Sequence, residues 1–128
     1  MEKIILELVI ERGDGDLFGR VNYDGNLIVD NAPTVAALEN QIRVLLKEFD
    51  GIDADKVEFE HYYDVYALFE EFDFINITKF AKYAGINPGL MRQYASGVKR
   101  PKQVQAKKIE AAFHKLSHEI NRIAIYAD

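Results

Sequence analysis

Near the middle of the chain, residues that favour the start or the end of a helix follow one another closely. They predict two short helices joined by a tight turn. Asparagine and N-terminal proline favour the start of a helix, whereas glycine favours its end. These residues occur in the order Asn76, Gly85, Asn87, Pro88 and Gly97. Their spacing predicts helices over 76–84 and 88–96 with only "GIN" between them. So short a connection forces the second helix to pack across the first.

The residues at this crossing have the properties that a helix-turn-helix requires. Ala81 is small where the two helices must approach closely, Gly85 permits a left-handed turn, and Ile86 can fill the angle between the helices. In the second helix, Met91 and Tyr94 are predicted to face inward.

The first half of the chain has a different periodicity, which predicts strands. Lys3–Glu11 is rich in β-branched residues and partly alternating, and Leu17–Tyr23 alternates in polarity. Asp24-Gly25 is a strong hairpin signal before a third strand, "NLIVD". A helix capped by Thr34 and ended by Gly51 follows. Its apolar stripe is predicted to contain Val35, Leu38, Ile42, Leu45, Leu46 and Phe49. Lys56–Tyr63 predicts a fourth strand, with Val57, Phe59 and His61 on one face.

The remaining segments predict helices. Asp64–Phe72 places apolar residues on one stripe, and the stretch after Pro101 repeats them at helical spacing from Val104 to Ile120. We therefore predict an α+β fold, with a small antiparallel β-β-β-α-β domain over residues 1–62. An all-α helix-turn-helix domain is predicted over residues 63–128.

The segment "ITKFAKYAGINPGLMRQYASGVKRP" resembles the repressor-type helix-turn-helix of the phage-repressor superfamily. It resembles in particular the C-terminal domain of HicB-type antitoxins, in which a basic proline turn and a long amphipathic helix follow. The resemblance covers about residues 62–122. It extends more loosely to the first half, because HicB-type proteins also begin with a β-β-β-α-β module. Where that family has a Pro-Gly-Cys loop, this chain has "YDGN".

The resemblance implies that the helix over 88–96 reads the major groove of double-stranded DNA. Its exposed positions would be Pro88, Gly89, Arg92, Gln93 and Ser96, and we include its cap, Asn87, among the DNA-binding residues. Gln93 can pair with adenine, and Arg92 with guanine or a phosphate. The expected phosphate contacts are Thr78, Ser96, Lys99, Arg100 and Lys102. Since Pro88 and Gly89 offer no polar side chain, we expect more reliance on backbone contacts, DNA shape and dimer spacing.

The charge is divided between the two halves of the chain. Before Asn76 there are six basic and 18 acidic residues, a balance of −12; from Asn76 onward there are ten basic and three acidic ones, a balance of +7. The two add to the overall −5. A basic half within an acidic chain is typical of nucleic-acid contact. Chance clustering of charge on solvated helix faces is the alternative explanation.

Other classes of function have little support in the sequence. The chain has no cysteine, which excludes disulfides, thiolate zinc sites and thiol nucleophiles. His114 and His118 are four residues apart, but no third metal ligand is implied. Ser96 and Ser117 do not lie in a strained nucleophile turn. We therefore expect no enzyme, cofactor or metal. No run approaches the roughly 20 apolar residues of a membrane span, so a cytoplasmic protein is expected.

Three hypotheses follow from these observations. The first is a homodimer or higher homo-oligomer that binds an operator, acting as antitoxin and autorepressor of a HicA/HicB-like pair. Family resemblance then implies a small basic HicA-like toxin as partner of the acidic module. The second is an ordinary repressor whose N-terminal module dimerises or senses a ligand. The third is a protein-interaction adaptor that no longer binds DNA, an alternative that Pro88 and Gly89 keep open.

Overall fold

The protein has an α+β fold, as predicted from the sequence. The computed structural model describes residues 2–128 and contains within them one four-stranded sheet and five α-helices. The chain forms two compact units, of which the first ends at Leu68 and the second spans Phe69–Asp128. The predicted domain boundary after residue 62 stays a prediction.

The first unit contains the sheet and one long helix. Its elements are β1 (Ile4–Arg12), β2 (Leu17–Tyr23), β3 (Asn26–Ala32), α1 (Val35–Asp50), a 3-10 turn (Ala54–Lys56) and β4 (Val57–Tyr63). Helix α2 (Val65–Glu71) spans the division between the units. The second unit continues with α3 (Ile77–Ala84), α4 (Pro88–Ala95) and α5 (Gln103–Ile120).

The first three strands form an antiparallel meander. β1 pairs with β2, and β2 pairs with β3 from Leu17↔Ala32 to Tyr23↔Asn26. Asp24 and Gly25 both have positive φ, 51° and 80°, which is the backbone of a two-residue type I′ hairpin turn. The hairpin predicted from this dipeptide is confirmed.

The fourth strand corrects the prediction of an all-antiparallel module. β4 pairs in parallel with β1, from Ile4↔Val57 to Ile10↔Tyr63, and the strand order is β3-β2-β1-β4. The sheet is therefore mixed. The reason is that α1 returns the chain along the sheet after β3, so β4 begins at the same end as β3 and runs in its direction.

Helix α1 covers one face of the sheet, which we call the inner face. Its predicted cap is confirmed, because Thr34 Oγ1 accepts a hydrogen bond from the Ala37 amide at 3.1 Å. Leu38, Ile42 and Leu46 are fully buried against the strands. Phe49, predicted on the same stripe, is instead 74% exposed. The buried stripe advances by four residues, so it continues beyond Leu46 toward half-buried Asp50 and leaves Phe49 outside.

Glycine allows the helix to approach the sheet closely. A Cβ atom at Gly19 of β2 would lie 2.6 Å from Leu38 Cδ2, a distance at which one of the two atoms must move.

The predicted inner face of β4 is confirmed. Val57 is buried, and the Arg43 guanidinium lies 4.8 Å from the centre of the Phe59 ring. His61 contacts Glu39 of α1.

The second unit is built around an aromatic core. The ring centroids of Phe80 and Phe113 are 4.5 Å apart, and Phe69 meets the Phe80 ring edge-on at 5.7 Å. Met91 and Ile109 are almost fully buried beside them in the same unit. Helix α5 ends at Ile120, and its predicted apolar stripe is buried only in the middle, because Val104 and Ile120 are 71% and 54% exposed.

Candidate nucleic-acid interface

The turn between α3 and α4 is held by local backbone hydrogen bonds. Asn76 caps α3 by accepting from the Lys79 amide at 2.9 Å, and Gly85 ends it with a left-handed φ of 74°. The Ile86 amide then donates to the Ala81 carbonyl at 2.9 Å. These caps agree with the sequence predictions. They fix the direction in which the chain leaves α3.

The packing of α3 against α4 also agrees with the predicted inward residues. Ala81 is fully buried, Ile86 is 4% exposed, and on α4 Met91 and Tyr94 are 0% and 4% exposed. Asn87 Oδ1 accepts from the Leu90 amide at 3.1 Å, with Pro88 in the first turn. The opposite side of α4 is therefore available to solvent.

Two of the predicted DNA-binding residues, Thr78 in the first turn of α3 and Arg92 in the last turn of α4, contact each other. Arg92 Nη1 of α4 donates a hydrogen bond to Thr78 Oγ1 of α3 at 3.1 Å. The sequence suggested separate roles for them, a base or phosphate contact for Arg92 and a phosphate contact for Thr78. In the structure the two side chains contact each other, and the Arg92 side chain lies on the exposed side of α4. The DNA contacts expected of both residues stay predictions.

Gly89 leaves space beside this arginine. A Cβ atom at Gly89 would lie 3.2 Å from Asn87 Oδ1 and 3.7 Å from Arg92 Nη2. Because glycine has no side chain, this tight contact with the Asn87 cap is avoided. Pro88 and Gly89 are both half-buried, so they offer backbone surface in place of the polar side chains that direct base contacts use.

The turn after α4 carries the remaining predicted residues. Gln93 is exposed, and its carbonyl accepts from the Ser96 hydroxyl at 3.2 Å and from the Lys99 amide at 3.2 Å. The Ser96 hydroxyl is thus engaged within the turn, whereas the Gln93 side-chain amide points from the exposed side of α4. Lys99, Arg100 and Lys102 are all exposed in the segment that leads into α5.

The electrostatic character of this region is uniform. Residues 74–109 contain eight basic side chains and no carboxylate. Lys79 and Lys82 on α3 belong to this set, are exposed, and were not singled out as DNA-binding residues from the sequence. The signal that could have identified them was the absence of carboxylates around them. A surface of this composition attracts a polyanion by charge alone.

A cation–π contact connects α5 with α3. The Lys115 ammonium lies 5.0 Å from the centre of the Tyr83 ring. Burial raises the pKa of the Tyr83 hydroxyl, and a hydrogen bond with Glu119 of α5 raises it further. The neutral hydroxyl is thus the favoured form. These contacts link α3 to α5 at the edge of the second unit.

The first unit offers a second surface, the face of the sheet opposite α1, which we call the outer face. Register places Val9, Arg20 and Val29 in one row across the strands, and Glu7 opposite Glu60 in the next. Large apolar side chains on this face are exposed by about half: Ile5, Phe18, Leu27, Val29 and Tyr62. Arg20 contacts Glu11. The outer face therefore combines apolar surface with an excess of carboxylates.

Two further properties of the described residues 2–128 bear on function. No three histidine, cysteine, aspartate or glutamate side chains in this part of the chain are grouped closely enough to hold a metal ion. No helix there is both long enough and apolar enough to cross a membrane.

Known proteins offer no relative from which a function could be transferred to this chain. No family model matches the chain, and neither a curated protein nor a solved structure matches it.

Proposed function

We propose that the chain is a sequence-specific double-stranded DNA-binding protein that acts as a homodimer. In this proposal α3 and α4 are a helix-turn-helix, and α4 enters the major groove. The observation that carries the proposal is the Arg92–Thr78 hydrogen bond beside exposed Gln93, in a stretch of eight basic residues and no carboxylate. A helix pair used only for packing has no need of an oriented arginine on its solvent side.

The side chains divide into reading and positioning groups. Gln93 would pair with adenine, and Arg92 with guanine or an adjacent phosphate. Lys99, Arg100 and Lys102 would neutralise phosphates and release counterions. The absence of a side chain at Gly89 would let the start of α4 approach the groove closely. Variants of the two groups should therefore differ in how their DNA affinity depends on DNA sequence and on salt concentration.

The test is a gel-shift and fluorescence-anisotropy series with DNA from directly upstream of the protein's own gene. Arg92→Ala and Gln93→Ala should weaken binding by about 5- to 150-fold, the loss of a contact worth roughly 1–3 kcal/mol. Binding to unrelated DNA should change much less for Gln93→Ala. Lys99→Ala and Arg100→Ala should weaken binding to both DNAs and each reduce the salt slope by about 1.

Lys47→Ala is the matched control, since it removes an exposed positive charge from the first unit and only an exposed ion pair with Asp53. It should bind DNA like the parent. If all four variants of the second unit retard the upstream DNA as the parent does, α4 is not a recognition helix.

We further propose that the protein is the antitoxin and autorepressor of a HicA/HicB-like pair in the cytoplasm. The first unit would cover a small basic toxin. The support is the outer face of the sheet, where exposed apolar side chains alternate with Glu7, Glu58 and Glu60. A surface of this kind favours a cationic protein partner through charge complementarity and apolar contact.

Co-expression with the adjacent gene tests this assignment. If that gene encodes a small basic protein, it should co-purify with this chain, and the chain should restore growth to cells that express it. Failure of both, with DNA binding intact, would favour an ordinary repressor whose N-terminal module dimerises or senses a ligand.

A further inference from the structure

The segment after α5, residues 121–128, has apolar side chains with nothing to cover them. We call this segment the C-terminal tail. Ile123, Ile125 and Tyr126 are 63%, 87% and 86% exposed. The last backbone–backbone hydrogen bond within the described residues 2–128 is donated by Ile123 to the Ile120 carbonyl, at 3.0 Å. Beyond it the tail continues outside helix and strand.

The composition of the tail favours an extended strand. "IAIY" has two β-branched residues and one aromatic residue among its four, types that are enriched in strands. In an extended conformation Ile123 and Ile125 lie on one side, and Ala124 and Tyr126 on the other. The tail thus has the side-chain pattern of a strand, but the described chain supplies it with no strand partner.

The charges of the tail select the orientation in which two copies can pair. Arg122 lies at its start and Asp128 at its end, and no charged residue stands between them. Antiparallel pairing of two tails brings Arg122 of one copy toward Asp128 of the other, whereas parallel pairing aligns like charges. An antiparallel pair also has two-fold symmetry, so the same edge of each tail forms the contact and one second copy satisfies it.

The exposed apolar side chains supply a large part of the area that such a pairing requires. Ile120, in the last turn of α5, is 54% exposed next to the tail. With roughly 150 Å² for each large side chain when free, the four exposed apolar residues offer roughly 400–500 Å² per copy. That is over half of the ~800 Å² that each partner contributes to a standard interface. The paired backbones supply further area.

We propose that the C-terminal tail is the homodimerisation element, in which two copies pair their tails as antiparallel strands. The partner is a second copy of this chain. The inference rests on the proposed function for the existence of a homodimer and names the surface that forms it. It concerns association alone, so it can be tested without DNA.

Sedimentation and light scattering of the full chain give the first test. The parent should be a dimer, of twice 14.7 kDa. Ile125→Glu should raise the dimer dissociation constant by about 100-fold or more, because an uncompensated carboxylate would be buried in the interface. Val44→Glu is the control: Val44 is 55% exposed on α1, so the same change there should leave the dimer intact. Circular dichroism verifies that both variants are folded.

Cross-linking locates the contact directly, because the chain has no cysteine. Ile125 lies opposite its own copy when Arg122 faces Asp128, so Ile125→Cys should form an intermolecular disulfide under mild oxidation, whereas Val44→Cys should not. In a mixture of Arg122→Cys and Asp128→Cys variants, antiparallel pairing predicts that the mixed dimer exceeds either homodimer.

A monomeric parent at about 100 µM would overturn the inference, as would an Ile125→Glu variant that dimerises like the parent. In one outcome the tail cross-links, but Arg92→Ala and Gln93→Ala leave DNA binding unchanged. That combination would refute the DNA-binding proposal only. Loss of DNA discrimination in those variants, with no cross-linking of the tail, would refute the tail pairing only.

Discussion

At the scale of single residues, Arg92 is an exposed side chain that is already held by a hydrogen bond within the protein. Its guanidinium hydrogen bonds to Thr78 Oγ1 at 3.1 Å while remaining on the exposed side of α4. A free arginine loses considerable rotamer freedom when it binds. Part of that freedom is already lost in the free protein, so under the proposed function the ordering cost on binding DNA would be smaller.

This coupling predicts a double-mutant cycle. Thr78→Val should weaken DNA binding by about two- to tenfold, the effect of one hydrogen bond worth roughly 0.5–1.5 kcal/mol. In an Arg92→Ala background the same change should have almost no effect, because Thr78 acts through the arginine. Anisotropy titrations of the four proteins against the same DNA measure the coupling.

The competing role for Thr78 is a direct phosphate contact, and the cycle separates the two roles. If Thr78→Val costs as much in the Arg92→Ala background as in the parent, then Thr78 binds DNA by itself. Far-UV circular dichroism should be the same for all four proteins, since Thr78 is only half-buried and Arg92 is exposed.

At the scale of elements, the features that the sequence predicted well are those with local causes. Helix caps depend on residues two or three positions apart, and Thr34, Asn76 and Asn87 all cap as predicted. The Asp24-Gly25 turn likewise depends only on its own backbone. The inward positions of Met91 and Tyr94 follow from helical spacing.

The features that sequence could not supply depend on distant partners. Alternation in β4 predicts a strand and its inner face, but not its direction, because its neighbour in the sheet is β1, more than 50 residues earlier. The Arg92–Thr78 contact depends on how α3 and α4 cross, so neither residue reveals it alone. Val104 fits a helical stripe in sequence, yet it lies at the start of α5, and the packing that buries Ile109 does not reach it.

At the scale of the whole molecule, the location of charge matters more than its total. The protein has a net charge of −5, which by itself would repel a polyanion. The carboxylates belong mainly to the first half, whereas residues 74–109 have none. Because exposed charges are screened beyond about 8–10 Å at physiological ionic strength, a bound polyanion responds mostly to the charges nearest to it.

Heparin affinity tests this independence from net charge. At pH 8 and about 50 mM salt, the parent should bind a heparin column despite its sequence pI of about 5.2. The double variant Lys99→Glu/Arg100→Glu should elute at least about 100 mM earlier, since two phosphate-type contacts become repulsive.

Lys47→Glu/Lys56→Glu is the matched control, because it changes the net charge by the same amount within the first unit. It should elute close to the parent. Equal shifts for the two double variants would show that total charge governs binding, contrary to the division described above.

The parallel pairing of β1 with β4 has a consequence for how the protein is made. β1 lies inside the sheet, between β2 and β4, so one of its two edges stays open until residues 57–63 arrive. At a synthesis rate of about 5–20 residues per second, that edge is exposed for roughly 3–10 seconds on the ribosome. Contacts so distant in sequence also form slowly. Newly made chains therefore pass through an interval in which "IILELVI" can pair with a neighbouring nascent chain, and this hazard ends when β4 docks.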